Sequence, residues 1–135
     1  MTRSDVQDIE ALLSDFAWFA DRGDGQGLSE LFLPDGILLV GGQEHRGRAS
    51  IAADCYRRAS DPGRKVRHVW SNLRIGDESA GQINTVAMQL TFEQTGEHPK
   101  TQLRVNDLAD VFARNTDGSW RFAHRLIARA MALDI

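Results

Sequence analysis

The chain has one cysteine, two lysines and no long apolar run, and each shortage excludes a class of protein. Cys55 cannot form a disulfide within the chain, and free cysteine is typical of an intracellular compartment. Polar residues rather than an apolar signal-peptide core follow Met1, and no run approaches the roughly 18 apolar residues that span a bilayer. We therefore expect a cytoplasmic protein with no membrane partner.

An excess of positive charge is also lacking. The 135 residues carry a formal net charge of −3, which provides no global field to attract nucleic acid. The densest basic segment, residues 57–67, is diluted by Asp54 and Asp61, and a solvated helix end explains it better. We expect no nucleic-acid partner.

The residues that common cofactors require are missing as well. The histidines show no metal-ligand spacing among themselves or with Cys55. Lys65 and Lys100 lie in polar turn contexts, which argues against a Schiff-base enzyme. The glycine-rich residues 23–27 follow a helical pattern rather than a strand, so they do not form a dinucleotide fingerprint. We expect neither a metal nor an organic cofactor, which leaves acid–base chemistry by side chains.

Hydrophobic periodicity changes along the chain. Ser4 and Gln7 suggest a capping box at the start of an amphipathic helix that ends at Gly23. Asp24 is well placed to cap a short second helix, residues 34–36 form a predicted turn before a strand, and a third helix fits residues 49–59. The second half is β-like over residues 66–75, 80–94, 101–115 and 119–132, with hairpin-type connections at 76–79, 96–99 and 116–118.

Helices followed by an antiparallel meander indicate an α+β fold. Long antiparallel strands cannot stay flat, so we expect a strongly curved, mostly antiparallel sheet. The three N-terminal helices should pack on its concave face, and residues 1–135 should form a single domain. Such a half-closed cone leaves an internal pocket between helices and sheet.

Two polar residues stand in apolar surroundings. Asp21 closes the first helix at the edge of its apolar stripe, and His68 lies within an apolar β segment. A carboxylate that reaches an imidazole fixes its tautomer, and such a pair can move protons near neutral pH. The alternatives are that Asp21 caps the chain reversal and that His68 is a half-buried histidine on a polar strand face.

Further candidates would line the pocket. By helical and strand spacing these residues are Phe16, Phe19, Trp70, Met88 and Leu90. Such a lining predicts a small apolar or aromatic ligand and excludes phosphates and nucleotides. The alternative is that these side chains simply fill the core.

Charged residues on the last two strands set limits on that prediction. Asp110, in an otherwise apolar strand, is a candidate pocket acid, although an ion pair with an arginine of the last strand is favoured. Only Asp21, His68 and Asp110 are expected to be ionisable in the pocket. Two or more arginines there, such as Arg104, Arg125 or Arg129, would indicate an anionic ligand instead.

The order of these parts resembles the SnoaL-like branch of the nuclear transport factor 2-like superfamily. The matching segments span nearly the whole chain, at residues 16–24, 31–36, 47–51, 67–72 and 117–122. The resemblance implies a cone-shaped, cystatin-like α+β half barrel that is often dimeric through its open sheet. A homodimer is therefore expected, and the outward apolar residues of the strands favour one as well.

Within this superfamily, Asp21 and His68 occupy positions similar to the catalytic pair of scytalone dehydratases and hexachlorocyclohexane dehydrochlorinases. The resemblance implies a cofactor-independent lyase, with Asp21 orienting His68 as general base. A second pocket histidine of scytalone dehydratases is absent from residues 101–115, and the tyrosine and base of ketosteroid isomerases are absent near Phe16 and Val40. The small subunits of ring-hydroxylating dioxygenases share the fold without a catalytic site, so a ligand-binding or accessory subunit remains the alternative.

Overall fold

The computed structural model describes residues 1–96 and 100–134, which form three helices and six strands. In chain order these are α1 (Arg3–Arg22), α2 (Gly25–Glu30), β1 (Phe32–Val40), β2 (Gln43–Arg46), α3 (Arg48–Ala59), β3 (Lys65–Ser79), β4 (Gln82–Gln94), β5 (Gln102–Arg114) and β6 (Trp120–Asp134). The helices pack on one face of a curved, unclosed sheet, which confirms the predicted α+β class. No helix in this part of the chain has the length and apolar character that crossing a bilayer requires.

The capping box of α1 lies two residues before its predicted position. The Thr2 hydroxyl accepts from the backbone N–H of Asp5, whose carboxylate accepts from the backbone N–H of Thr2. Tertiary contacts favour this register, because Asp5 also accepts from Trp120 Nε1 at 2.9 Å and from Arg114 at 3.2 Å. The Thr2 backbone bond, the Trp120 bond and Arg114 hold the pKa of Asp5 well below its usual range. At its other end, α1 stops at Gly23, which adopts a left-handed φ of 67°.

The six strands form one sheet in the order β2-β1-β6-β5-β4-β3. β1 runs parallel to β6 and the other neighbours are antiparallel. β1 begins at Phe32 rather than at Ile37, with the predicted turn absorbed as an irregularity between these two residues. β2 was not predicted because its four polar residues carry no apolar alternation.

The hairpin connections differ in how well they were placed. The first connection is at Ala80 and Gly81, because β3 extends to Ser79. The turn predicted at 116–118 is present, where the Gly118 N–H donates to Asn115 O. Most of the connection predicted at 96–99 lies outside the described residues.

The core between the helices and the sheet contains a cluster of four phenylalanines, Phe16, Phe32, Phe112 and Phe122. Their ring centroids lie 4.7 to 6.3 Å apart in tilted or edge-on pairs. The β5–β6 register skips one residue at Ala123, so Phe122 and Arg125 both face the inside although they are three residues apart. This bulge brings a buried charge next to the aromatic cluster.

Candidate active site

Asp21 and His68 meet where the last turn of α1 approaches the inner face of β3. His68 Nδ1 lies 2.6 Å from Asp21 Oδ1, and the His68 backbone N–H donates to both carboxylate oxygens, at 3.0 and 3.3 Å. An ionised carboxylate can only accept, so Nδ1 carries the proton and Nε2 is left as the basic nitrogen. The side chains are 7% and 14% exposed, so the pair is shielded from bulk water without being sealed off.

An internal cavity of about 710 Å³ opens between the helices and the inner face of the sheet, and His68 lines it. Phe16, Leu28, Leu38 and Ile51 form its apolar wall. This volume lies within the range of small-molecule sites. The predicted pocket is therefore present, and the side chain of His68 lies at its wall.

Two of the residues predicted to line the pocket, Phe19 on α1 and Trp70 on β3, lie outside the cavity. Phe16 lines the cavity, whereas Phe19 is absent from the cavity wall and packs against the core. Trp70 shares the inner face of β3 with His68, as alternation predicted, but it leans on α1 outside the cavity. Its Nε1 donates to Ser14 Oγ at 3.0 Å. Trp70 therefore supports the packing of β3 on α1 instead of touching a ligand.

The placement of Met88 and Leu90 in the pocket was wrong. On β4 the buried residues alternate through Thr85, Ala87, Gln89 and Thr91, which turns Met88 and Leu90 to the outer face. A shift of one residue moves every side chain of a strand to the opposite face. The inner face carries the polar residues here, which apolarity alone could not reveal.

Asp110 faces inward but lies beneath the cavity rather than in its wall. Its Oδ1 is 3.4 Å from Arg125 Nε, and both side chains are almost completely buried. The Arg125 guanidinium also stacks over the Phe16 ring, 4.2 Å from the centroid. Burial raises the pKa of Asp110 to about 6, against the opposing effect of Arg125. The favoured ion pair is thus the arrangement found, and the role of Asp110 as a ligand contact is not supported.

The prediction of a pocket with few ionisable groups was also wrong. Six charged residues line the cavity in addition to His68, namely Arg58, Arg64, Arg104, Arg129, Asp54 and Glu93. Arg64 Nε and Arg104 Nη1 both donate to Glu93, at 2.6 and 3.1 Å. Burial opposes ionisation of Glu93, but these two arginines outweigh it and leave its pKa below the usual range. Period-two alternation from Asn106 could have placed Arg104 inside.

A helix-covered, half-open cone with an internal cavity and an Asp–His pair at its wall defines a class of α+β small-molecule-binding domains. The chain belongs to the SnoaL-like domain family, whose sequence profile matches residues 1–126. None of the curated proteins matches the chain with significant similarity.

Solved structures share the fold over nearly the whole chain. A putative scytalone dehydratase from Novosphingobium aromaticivorans has a TM-score of 0.84 at 20% identity, over 96% of this chain and 87% of its own. An NTF2-like protein with a cystatin-like fold from the same organism has a TM-score of 0.78 at 27% identity, over 94% and 82%. A type 2 hexachlorocyclohexane dehydrochlorinase has a TM-score of 0.81 at 21% identity, over 98% and 88%.

Proposed function

We propose that this protein is a cofactor-independent lyase that eliminates a leaving group from a small cyclic or aromatic molecule. The observation that carries the proposal is the contact of Asp21 with Nδ1 of His68, which leaves Nε2 as a base beside the cavity. His68 is the catalytic base, and Asp21 is a positioning residue that holds the imidazole in one tautomer.

The elimination balances without a cofactor. Nε2 of His68 takes a proton from a substrate carbon, the electrons of that C–H bond form the new double bond, and the adjacent bond to the leaving group breaks with its electron pair. The imidazolium is stabilised by the Asp21 carboxylate. When the leaving group is hydroxide, the imidazolium returns its proton to it and water departs.

The names of two structural neighbours agree with this chemistry. One is described as a putative scytalone dehydratase and another as a hexachlorocyclohexane dehydrochlorinase, and both names denote eliminations. Their low identity to this chain establishes only the fold, so the reaction itself rests on the dyad.

Turnover and binding must be measured together to test the proposal. Cyclic β-hydroxy ketones and β-hydroxy acids serve as probes, and formation of the double bond is followed by ultraviolet absorbance. We expect turnover by the wild type that His68→Ala and Asp21→Asn each lower by about 10²–10⁴-fold, while both variants still bind the probe. If the wild-type protein binds the probes but converts none of them, the result would contradict the lyase and favour a carrier or accessory subunit.

We also propose that the protein is a cytoplasmic homodimer that pairs through the outer face of its sheet. Val69, Val86, Met131 and Leu133 are each about half exposed on that face. A twofold-related copy is the simplest closed way to cover it. Light scattering should give twice the chain mass of 15.0 kDa, and Val86→Lys should shift the equilibrium towards monomer. A wild-type monomer over a wide concentration range would contradict the dimer.

A further inference from the structure

We propose that the ligand of the cavity is a monocarboxylate, and that Arg104 and Arg129 hold its carboxylate. This inference rests on the proposed function only in taking His68 as the group that faces the reacting carbon. The binding it predicts can be measured without turnover.

The net charge of the residues that line the cavity is opposite in sign to the net charge of the whole chain. Among the residues that line it, the arginines outnumber the carboxylates by two, whereas the chain as a whole carries −3. Arg58 pairs with Asp54 through Nε, and Arg64 pairs with Glu93. Arg129 lines the cavity at a solvent-exposed position and forms no ion pair within the described residues, so its charge is available to a ligand. Low-dielectric walls strengthen such a local field and attract an anion.

Arg104 also has hydrogen-bonding capacity to spare. Its recorded bonds to Glu93 and to Gln102 Oε1 both come from Nη1, at 3.1 and 2.7 Å. A guanidinium has five N–H donors, so Nη2 and Nε can form a bidentate pair with a carboxylate. Glu93 holds the side chain at the cavity wall while leaving that edge free.

Sheet register places the two arginines at a useful distance from His68. His68 pairs with Thr91 on β4, which pairs with Arg104 on β5, and all three side chains face inward. Two strand spacings separate His68 from Arg104, about 10 Å at the backbone. Arg129 lies opposite Asn106, in the next inward row. A carboxylate between the arginines therefore leaves room for a ring whose far carbons lie near His68.

A buried amide points to a second polar group on the ligand. Gln89 is 2% exposed and lines the cavity, and its Oε1 has no hydrogen-bond partner in residues 1–96 and 100–134. A buried acceptor without a hydrogen bond is destabilising, so a ligand hydroxyl that donates to Oε1 is favoured. A hydroxylated cyclic acid satisfies Gln89 and the arginines and places its ring against the apolar wall.

A carboxylate fits better than a phosphate ester. Glu93 forms ion pairs with Arg64 and Arg104 and keeps its negative charge, so it repels a dianion more strongly than a monoanion. The planar guanidinium matches the two oxygens of a carboxylate in geometry.

Paired probes that differ only in charge test the proposal by calorimetry. The pairs are 6-hydroxy-2-naphthoate with its carboxamide, and 4-hydroxybenzoate with its carboxamide, measured on His68→Ala protein so that no reaction intervenes. We expect the acid of at least one pair to bind about tenfold more tightly than its amide, the ratio that one charge-assisted contact supplies. The variant R104Q/R129Q should abolish that preference.

Arg74→Gln is the matched control, since Arg74 is exposed on β3 away from the cavity. It should leave the preference intact. If loss of Arg104 unfolds the protein, Arg129→Gln alone suffices, because Arg129 holds no ion pair among the described residues. Equal affinity or no binding in both pairs would overturn the proposal, as would a preference that survives R104Q/R129Q. Tighter binding of 2-naphthyl phosphate than of the naphthoate would also overturn it.

Discussion

Asp21 and Asp110 are both carboxylates set among apolar residues on the inner side of the sheet, yet their surroundings differ. Asp21 accepts from the backbone and ring N–H groups of His68, whose side chain lines the cavity. Asp110 lies deeper, against the single cation Arg125, and neither of its oxygens has a hydrogen bond within the described residues. The donors that satisfy Asp21 belong to a residue at the cavity wall, whereas the partner of Asp110 is as completely buried as Asp110 itself.

The energetic consequence is that the two carboxylates are held in opposite ways. Direct hydrogen bonds from the donors of His68 compensate the desolvation of Asp21. For Asp110 burial dominates and raises the pKa to about 6, so its charge is stabilised poorly. The predictions that follow test this contrast.

The largest effect should come from changes to the hydrogen-bonded pair of Asp21 and His68. His68→Ala and Asp21→Asn should each lower kcat by about 10²–10⁴-fold. The first removes the base, and the second removes the negative charge that stabilises the imidazolium and replaces one acceptor oxygen with an NH2 donor that favours the wrong tautomer. Steady-state rates on any substrate found for the wild type are the measurement. Asp107→Asn, at an exposed aspartate on the outer side of β5, is the matched control and should keep the wild-type rate. A wild-type rate for Asp21→Asn would remove the distinction between the two carboxylates.

The next largest effect concerns the buried ion pair of Asp110 and Arg125. Arg125→Met should lower the free energy of unfolding by about 3–5 kcal/mol, because it leaves Asp110 buried without a counter-charge. The double variant Asp110→Leu/Arg125→Met should recover most of that loss, since no charge then remains buried. Urea denaturation measures all four corners of this cycle. Additive losses in the double variant would show that the two side chains are not coupled.

Stability should also respond to pH at Asp110. Its folded pKa of about 6 lies above the ordinary value of 3.8, so the folded state binds the proton more tightly than the unfolded state. That contribution is fully present below the unfolded value and is lost as pH rises through about 6. The free energy of unfolding, from urea curves between pH 4 and pH 7, should therefore carry a falling component. Asp110→Asn should remove this component, and an identical pH profile in that variant would contradict the assignment.

The smallest effect concerns the hydrogen bond between Trp70 and Ser14, near Asp21 and His68. Trp70→Phe removes the bond to Ser14 that ties β3 to α1 next to Asp21 and His68, and should cost about 0.5–1.5 kcal/mol. Ser14→Ala breaks the same bond, so the double variant should cost little more than either single change. Thermal unfolding of the three variants provides the measurement. Full additivity would show that this bond does not link the two elements.

Much of the architecture could be predicted because local patterns agree with the fold. The helical stripe of α1, the Asp24 cap of α2 and the alternating strands all reflect short-range preferences. The contact between Asp21 and His68 followed from two polar residues that an apolar environment would otherwise penalise.

The remainder depended on register and tertiary contacts. Met88 and Leu90 were misplaced because the inner face of β4 is polar near the cavity, so apolarity gave the wrong side. The bulge at Ala123 turns Arg125 inward, and no local sequence signal distinguishes it from a regular strand. The cavity arginines were underestimated because arginine is usually exposed, and their partner Glu93 lies on another strand.

The ties of Asp5 bear on the order in which the protein can assemble. Asp5 bonds to Trp120, 115 residues away, and to Arg114, 109 residues away. Closing loops of that length is slow and entropically costly. We therefore expect the start of the first helix to be anchored only after the start of the final strand has paired. Because that helix carries Asp21 at its far end, we expect the dyad to reach its final geometry only once those long-range contacts of Asp5 have formed.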